Sequence, residues 1–292
     1  MKRTMLILLA GLFVVGQGIA QKRWGGKERR GVYNEEKIER TFTFAAGVEN
    51  RRLVVDNING TIDVVGYDGD KIEMKAVRGI DAEDDEKADE ANREVILEIK
   101  EEKGKVILYV DAPWRTRNGI NYRGWHYYGY DVSYDFELRV PRKTSLFLKT
   151  VNSGKITVKD VEGEHEVSHV NGGIDMTDII GPAKVTTVNG PVKVSFSKNP
   201  EGDCIFKTVN GKVEVELHDG LSADLKLKTF NGQVYTDFDV IDLPRKVAAL
   251  EERSGRKRVY RKGDSFSVRV GKGGPEFSFD TLNGSIYILK QK

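Results

Sequence analysis

Apolar and polar positions alternate along most of the chain in short runs. They include TIDVV (61–65), KITVKDV (155–161), GIDMTDI (173–179), PVKVSF (191–196), KVEVEL (212–217), QVYTDF (233–238) and SIYIL (285–289). A period of two places successive side chains on opposite faces, so these runs predict β-strands with one face buried. Glycines punctuate them at fixed spacing. They fall at 154, 163, 172, 181 and 190, each nine residues after the last, and the same step recurs from Gly60 to Gly69 and from Gly202 through Gly211 to Gly220. Alternate glycines carry an asparagine before them: Asn59-Gly60, Asn171-Gly172, Asn189-Gly190, Asn210-Gly211, Asn231-Gly232 and Asn283-Gly284, with Gly154 as the looser copy in VNSG.

Asn-Gly tolerates a left-handed backbone and is a turn signal, and between two apolar runs it marks a hairpin. Recurrence at fixed spacing competes with that reading. A repeat of 18–21 residues with two turns argues for an all-β, β-solenoid-like domain, each coil burying its apolar face only by stacking on its neighbours. The recurrence of one corner type at every second glycine favours the coil, with an antiparallel β-meander or sandwich as the alternative. In the stacked form the T-x-N-G corners make a column, and the Val, Phe or Leu before each Asn is expected to point inward.

The array is expected to span 41–290, interrupted at 79–92, 111–129 and 241–275. Acidic GIDAEDDEKADEAN (79–92) lacks strand patterning and reads as a solvated loop or a short exposed helix. EVILEIKEEKGKVILYVD (94–111) reads as a hairpin turned at Glu102-Lys103-Gly104, and YDVSYDFELRVPRKTSLFLKT (130–150) as strands leading into the regular repeats.

The N-terminus adds a compartment. Lys2 and Arg3, an apolar run from Met5 to Val15 and the small-residue exit Gly18-Ile19-Ala20 form the pattern of a secretory signal peptide over 1–20. The run falls short of the roughly 20 residues of a transmembrane helix, and no second one follows. Residues 21–40 read as a basic flexible segment. The expected location is periplasmic, outer-membrane-associated or extracellular. The formal charge of +2 comes from 47 basic against 45 acidic residues. Cleavage after Ala20 removes Lys2 and Arg3 and balances the two signs, so global charge gives a nucleic-acid partner no support. The basic stretches KRWGGKERR (22–30) and RSGRKRVYRK (253–262) read as a solvated tail and loop. One cysteine, Cys204, excludes an internal disulfide and reads as a small buried thiol.

No catalytic, cofactor or metal constellation is evident. His165 and His169 lie four apart on one strand face, too far apart for a compact metal site without further ligands, and read as exposed surface histidines. Acids are scattered throughout, so a polysaccharide-active enzyme is the weakest functional reading. One stretch stands out chemically: DAPWRTRNGINYRGWHYYGYD (111–131). Trp114, Tyr122, Trp125, Tyr127, Tyr128 and Tyr130 are interleaved there with Arg115, Arg117 and Arg123. Large aromatics beside glycines and arginines suit a contact surface for a glycan, a cell surface or an envelope protein; alternatively they fold back to seal the end of the β-core.

The repeated pattern in VDNINGTIDVVGYDG (55–69), VNSGKITVKDVEG (151–163), HVNGGIDMTDIIG (169–181), TVNGPVKV, TVNGKVEV, TFNGQVYT and FDTLNGSIYILK resembles the bacterial β-strand-repeat adhesin-like family, a DUF4097-like domain of unknown function. The resemblance implies a β-solenoid-like fold, envelope association and no established catalytic residues. Two functional expectations follow: an adhesive or structural envelope scaffold, and a regulatory protein-interaction module of an envelope signalling or stress system.

Overall fold

In the computed structural model the described residues are 15–18, 21–24, 27–44, 47–48, 50–116, 119–120, 127–243 and 266–291. The signal peptide lies largely outside them, as do the 253–262 basic stretch and most of the 241–275 interruption. Among the described residues the chain is all-β apart from one helix, Asp85–Glu94. Two eleven-stranded sheets, each mixing parallel and antiparallel pairs, form the body, and neither closes on itself. They are the two layers of a sandwich. Phe196 from one layer meets Phe206 from the other edge-on at 6.2 Å, and Phe206 packs on Phe279 at 5.2 Å. All three are fully buried.

Within the repeats, consecutive strands alternate between the layers. Ile156–Lys159, Ile174–Ile179, Val192–Phe196 and Val213–Leu217 lie side by side in one sheet. His165–Ser168, Ala183–Thr186 and Cys204–Asn210 lie side by side in the other. Every one of these neighbours pairs in parallel, with Ile156, Ile174, Val192 and Val213 in one row. The repeats thus pair in parallel, while the two open, mixed sheets form the sandwich expected as the alternative. Antiparallel pairs flank them: Val32–Thr43 on Lys71–Ala82, which pairs in turn with Tyr130–Pro141, and Ile96–Glu102 on Lys105–Asp111. Val32–Thr43 lies mostly inside the segment expected to be flexible. Its alternation was hidden by charge, since YNEEKIER puts charged residues on both faces.

The final strands break sequence order. Glu276–Asn283 and Ile286–Lys290 insert between the coil of Cys204–Leu217 and that of Ala223–Thr236, which becomes the last of the stack.

Two kinds of side chain join the coils at the T-x-N-G corner, and the inward expectation for the residue before each Asn is reversed. Val188, Val209, Leu282 and Phe230 are exposed, at 37, 38, 46 and 54%. The preceding threonines are the buried ones: Thr150, Thr187, Thr208 and Thr281 are at most 5% exposed. The cause is the strand period itself, which runs inward Phe206, outward Lys207, inward Thr208, outward Val209. Corner hydroxyls, three of them buried and that of Thr229 half-buried, donate to a glycine carbonyl one coil away. Thr187 reaches Gly172, Thr208 reaches Gly190, Thr281 reaches Gly211 and Thr229 reaches Gly284, at 2.8–3.1 Å. The asparagines stack outside. Asn171 donates its Nδ2 to Oδ1 of Asn152, Asn189 to Asn171, Asn210 to Asn189, Asn283 to Asn210 and Asn231 to Asn283, all at 2.7–2.8 Å.

The corner glycines answer a different need from the one the turn signal suggests. Gly60 and Gly154 have positive φ, but Gly172, Gly190, Gly211, Gly232 and Gly284 do not. For these five a Cβ would fall onto the glycine carbonyl of the preceding coil, for Gly211 that of Gly190. Close stacking, not handedness, selects glycine there.

Gly211→Ala is therefore expected to destabilise by about 3 kcal/mol, the upper end for an overpacked site. Thr208→Val, which keeps the shape and strands one carbonyl, is expected to cost about 1 kcal/mol. Urea unfolding midpoints at constant m-value give both numbers, and equal costs would contradict the close-contact account.

Candidate functional site

The aromatic segment divides. Trp114, Tyr128 and Tyr130 form a closed cluster, with ring centroids 4.8 Å apart for Trp114–Tyr128, 5.8 Å for Tyr128–Tyr130 and 6.1 Å for Trp114–Tyr130. Tyr130 is buried, and Trp114 and Tyr128 pack partly buried against the core. The cluster is tied to the ends of the helix. Tyr130 Oη donates to Glu94 at 2.5 Å, Tyr127 Oη to Glu83 at 2.9 Å, and Glu83 N–H to Gly129 O at 3.0 Å. Burial, reinforced by the Glu94 carboxylate, holds the Tyr130 phenol above its usual range. Tyr127 is 71% exposed. Arg117, Tyr122, Arg123 and Trp125 lie outside the described residues.

Arg115 anchors the root of this segment. Its guanidinium is buried, pairs with the Asp56 carboxylate, donates to Asp56 O and lies 4.2 Å from the Tyr109 ring centroid. The helix itself is packed rather than fully exposed. Asp84 caps it by accepting from Lys87 N–H, Ala88 and Ala91 are buried beneath it, and Arg78 donates to its last carbonyls, Ala91 O at 3.2 Å and Val95 O at 2.9 Å. A guanidinium at a helix C-terminus meets both the orphan carbonyls and the negative end of the dipole. Arg78 was not singled out by pattern, because nothing local to GIDAEDD indicates that a strand residue reaches across to the helix.

The two paired histidines correct the surface reading: His165 is 2% and His169 3% exposed. Each donates from Nε2 to a carbonyl, His165 to Ile180 O at 3.2 Å and His169 to Gly154 O at 3.4 Å. His169 thus occupies the ladder place held by threonine in the other coils. Burial pushes the His165 imidazole down to about 4 and that of His169 in the same direction. Cys204 is buried as expected, and its thiol is pushed up to about 11 by burial. Among the described residues no three of His, Cys, Asp and Glu come together as a metal site. No helix among them is long and apolar enough to cross a membrane.

The outward faces of the sheets neutralise themselves through pairs such as Lys184–Glu166 at 2.8 Å, Lys155–Asp175 at 2.9 Å and Lys193–Glu214 at 3.3 Å. The ends of the sandwich differ more. At one end one layer finishes in charge, through Glu98, Lys100, Glu101 and Glu102, and the other finishes in Val15–Gly18, which pairs antiparallel with Tyr33–Glu36 of the charged strand Val32–Thr43. Charge on an edge discourages further strand pairing. At the other end one sheet continues into the antiparallel strands Phe266–Val270 and Val240–Asp242. The other sheet stops at Val234–Thr236, which among the described residues is paired on one side only. Residues 229–236, TFNGQVYT, carry no charge. Gln233 O accepts from Ile286 N–H and Asp237 N–H donates to Ile288 O, so Val234 and Thr236 turn their backbone groups to the open side. Tyr235 is 45% exposed and stacks on Tyr287 at 4.9 Å and 9°.

No family model matches the chain, and neither does any curated protein. Among solved structures it is similar to a "putative cell adhesion protein" from Clostridium sporogenes, at 11% identity and a TM-score of 0.40, over 87% of this chain and 100% of that one. It is also similar to a "putative lipid binding protein" from Parabacteroides distasonis, at 10% identity and a TM-score of 0.24, over 88% and 97%. Neither likeness is close enough to carry an argument. What stands is a β-rich repeat chain; membership of the DUF4097-like family is not shown.

The buried histidines set an acid limit. Each is neutral in the fold, whereas the unfolded chain takes up protons near the ordinary histidine value, so stability is fully present above about pH 6.5 and falls as pH drops toward 4. For His165 the full loss is about 3 kcal/mol. His169→Thr restores the ladder residue and is expected to lower the acid-unfolding midpoint. An unchanged midpoint in both His169→Thr and His165→Val would remove histidine from the account.

Proposed function

We propose that this chain is an exported, non-catalytic β-repeat scaffold that works as a protein-interaction module of the cell envelope. We further read its two-layer repeat as a stack of 18–21-residue coils, β-solenoid-like in plan, because strands one repeat apart pair in parallel, with an asparagine ladder from Asn152 to Asn231 outside and threonines, replaced once by His169, inside. One observation carries the functional reading: among the described residues the edge Val234–Thr236 is paired on one side only and uncharged, while the edge Ile96–Glu102 at the opposite end is charged. An unblocked edge is where an extended segment of another protein adds as a further strand, its main chain supplying affinity and alternate side chains supplying selectivity. The adhesive reading would put its contacts on Tyr127 and on Arg117, Tyr122, Arg123 and Trp125. It draws less support, because Trp114, Tyr128 and Tyr130 turn toward one another and the helix.

Val234→Pro removes an outward N–H without touching the bonds to Ile286 and Ile288, so the fold is expected to survive. Wild-type protein is expected to recover a stoichiometric partner from envelope extract and Val234→Pro to lose it, with unchanged circular dichroism. Equal recovery by both would place the binding surface elsewhere and overturn the edge reading. N-terminal sequencing of the exported protein is expected to begin at Gln21.

A further inference from the structure

We propose that the open terminal coil receives one more T-x-N-G coil, supplied by an extended, uncharged segment of a different polypeptide. This rests on the reading of that edge as the binding surface and adds the partner's chemistry.

The ladders have a direction. From Thr187 onward each corner threonine hydroxyl donates to the glycine carbonyl of the coil before it, and from Asn171 onward each corner asparagine Nδ2 donates to the Oδ1 of the coil before it. The last coil, built on Thr229, Asn231 and Gly232, has spent both donors on Gly284 and Asn283. What it presents outward is two acceptors in ladder register, Asn231 Oδ1 and Gly232 O. Among the described residues no further threonine or asparagine reaches them. The complement is a strand bringing a hydroxyl and, two residues on, a primary amide: T-x-N. The glycine that follows is required by the same close stacking that excludes a Cβ at Gly232. Beyond the corner, the strand would alternate apolar and polar to lie along Val234–Thr236 beside Tyr235.

The same direction excludes the simplest homotypic contacts. Two terminal coils facing each other offer acceptors to acceptors. The donor end of the stack is also taken, since Asn57 Nδ2 donates to Tyr134 O at 2.8 Å and Asn59 Nδ2 to Val132 O at 3.0 Å. Copies of this chain therefore cannot join head to tail through the ladders. Nor does a coil need chain continuity to be added. Glu276–Lys290 already occupies its place between Cys204–Leu217 and Ala223–Thr236 without being the next segment in sequence.

The probe is a fluorescein-labelled peptide of residues 281–289, TLNGSIYIL, which omits Phe279 and Asp280 because Phe266 already pairs beside Leu227; it is titrated with the full chain and followed by anisotropy. Saturable one-to-one binding is expected, weakened about tenfold by replacing the peptide's threonine with valine and its asparagine with leucine, since two hydrogen bonds are lost. Val234→Pro in the protein is expected to abolish it. Equal binding of both peptides would mean generic strand addition and overturn the ladder complement. Binding that persists in Val234→Pro would mean exchange with the internal strand and overturn the site. A concentration-dependent dimer in sedimentation, lost in Val234→Pro, would assign the edge to a second copy instead. If the peptide fails while partner recovery still depends on Val234, the interaction module stands and its T-x-N-G partner does not.

Discussion

Adjacent coils meet where a buried threonine hydroxyl reaches a glycine carbonyl, with no side chain between the two backbones. Much else follows from that contact. It needs glycine at the corner for clearance, a hydroxyl inside to satisfy a carbonyl that would otherwise be buried unpaired, and strict parallel register so that each hydroxyl finds its partner. The asparagine ladder outside repeats the constraint in amides. Register set at the corner then propagates into both layers, aligning the rows of Val, Ile and Phe that make the core.

A chain without disulfides obtains its rigidity from this repetition. The ion pairs on the outer faces are exposed and contribute little each. The buried exceptions, Arg78 on the helix carbonyls and Arg115 on Asp56, lie where the regular stack gives way to the helix and the aromatic segment. There a polar tie substitutes for the ladder. His169 shows how narrow the ladder position is: imidazole serves in place of threonine in its neutral form, donating Nε2–H to Gly154 O while Nδ1 accepts from Val170 N–H, a bond that protonation of Nδ1 would break.

Much of the scaffold was legible in the sequence. The nine-residue spacing located the corners, and the alternating runs located strands from Ile62–Tyr67 to Ile286–Lys290. The hairpin at Glu102-Lys103-Gly104 was legible too, with Gly104 at φ 77. The facing of the corner was misjudged because valine looks more buried than threonine by composition, although strict alternation from Phe206 or Leu148 assigns threonine inward. The insertion of Glu276–Lys290 ahead of Ala223–Thr236 was not legible. TFNG and TLNG fit either place equally well, and only the antiparallel cap of Phe266–Val270 on Ala223–Leu227 distinguishes them. The open edge was equally hidden, since being last in the stack is a property of order and not of any one strand.

That order has a temporal consequence. The gap between the third-last and last coils is filled by Glu276–Lys290, so a chain emerging from a ribosome cannot settle its terminal coil until those residues have been made. Coils around Ile156–Leu217 need only near neighbours in sequence and are free to stack as they emerge, whereas Ala223–Thr236 must wait for a segment that arrives later. Vectorial synthesis therefore ends on a non-local step, leaving the apolar flank of Val213–Leu217 and Cys204–Asn210 exposed longest. Chaperones would meet this protein at that seam.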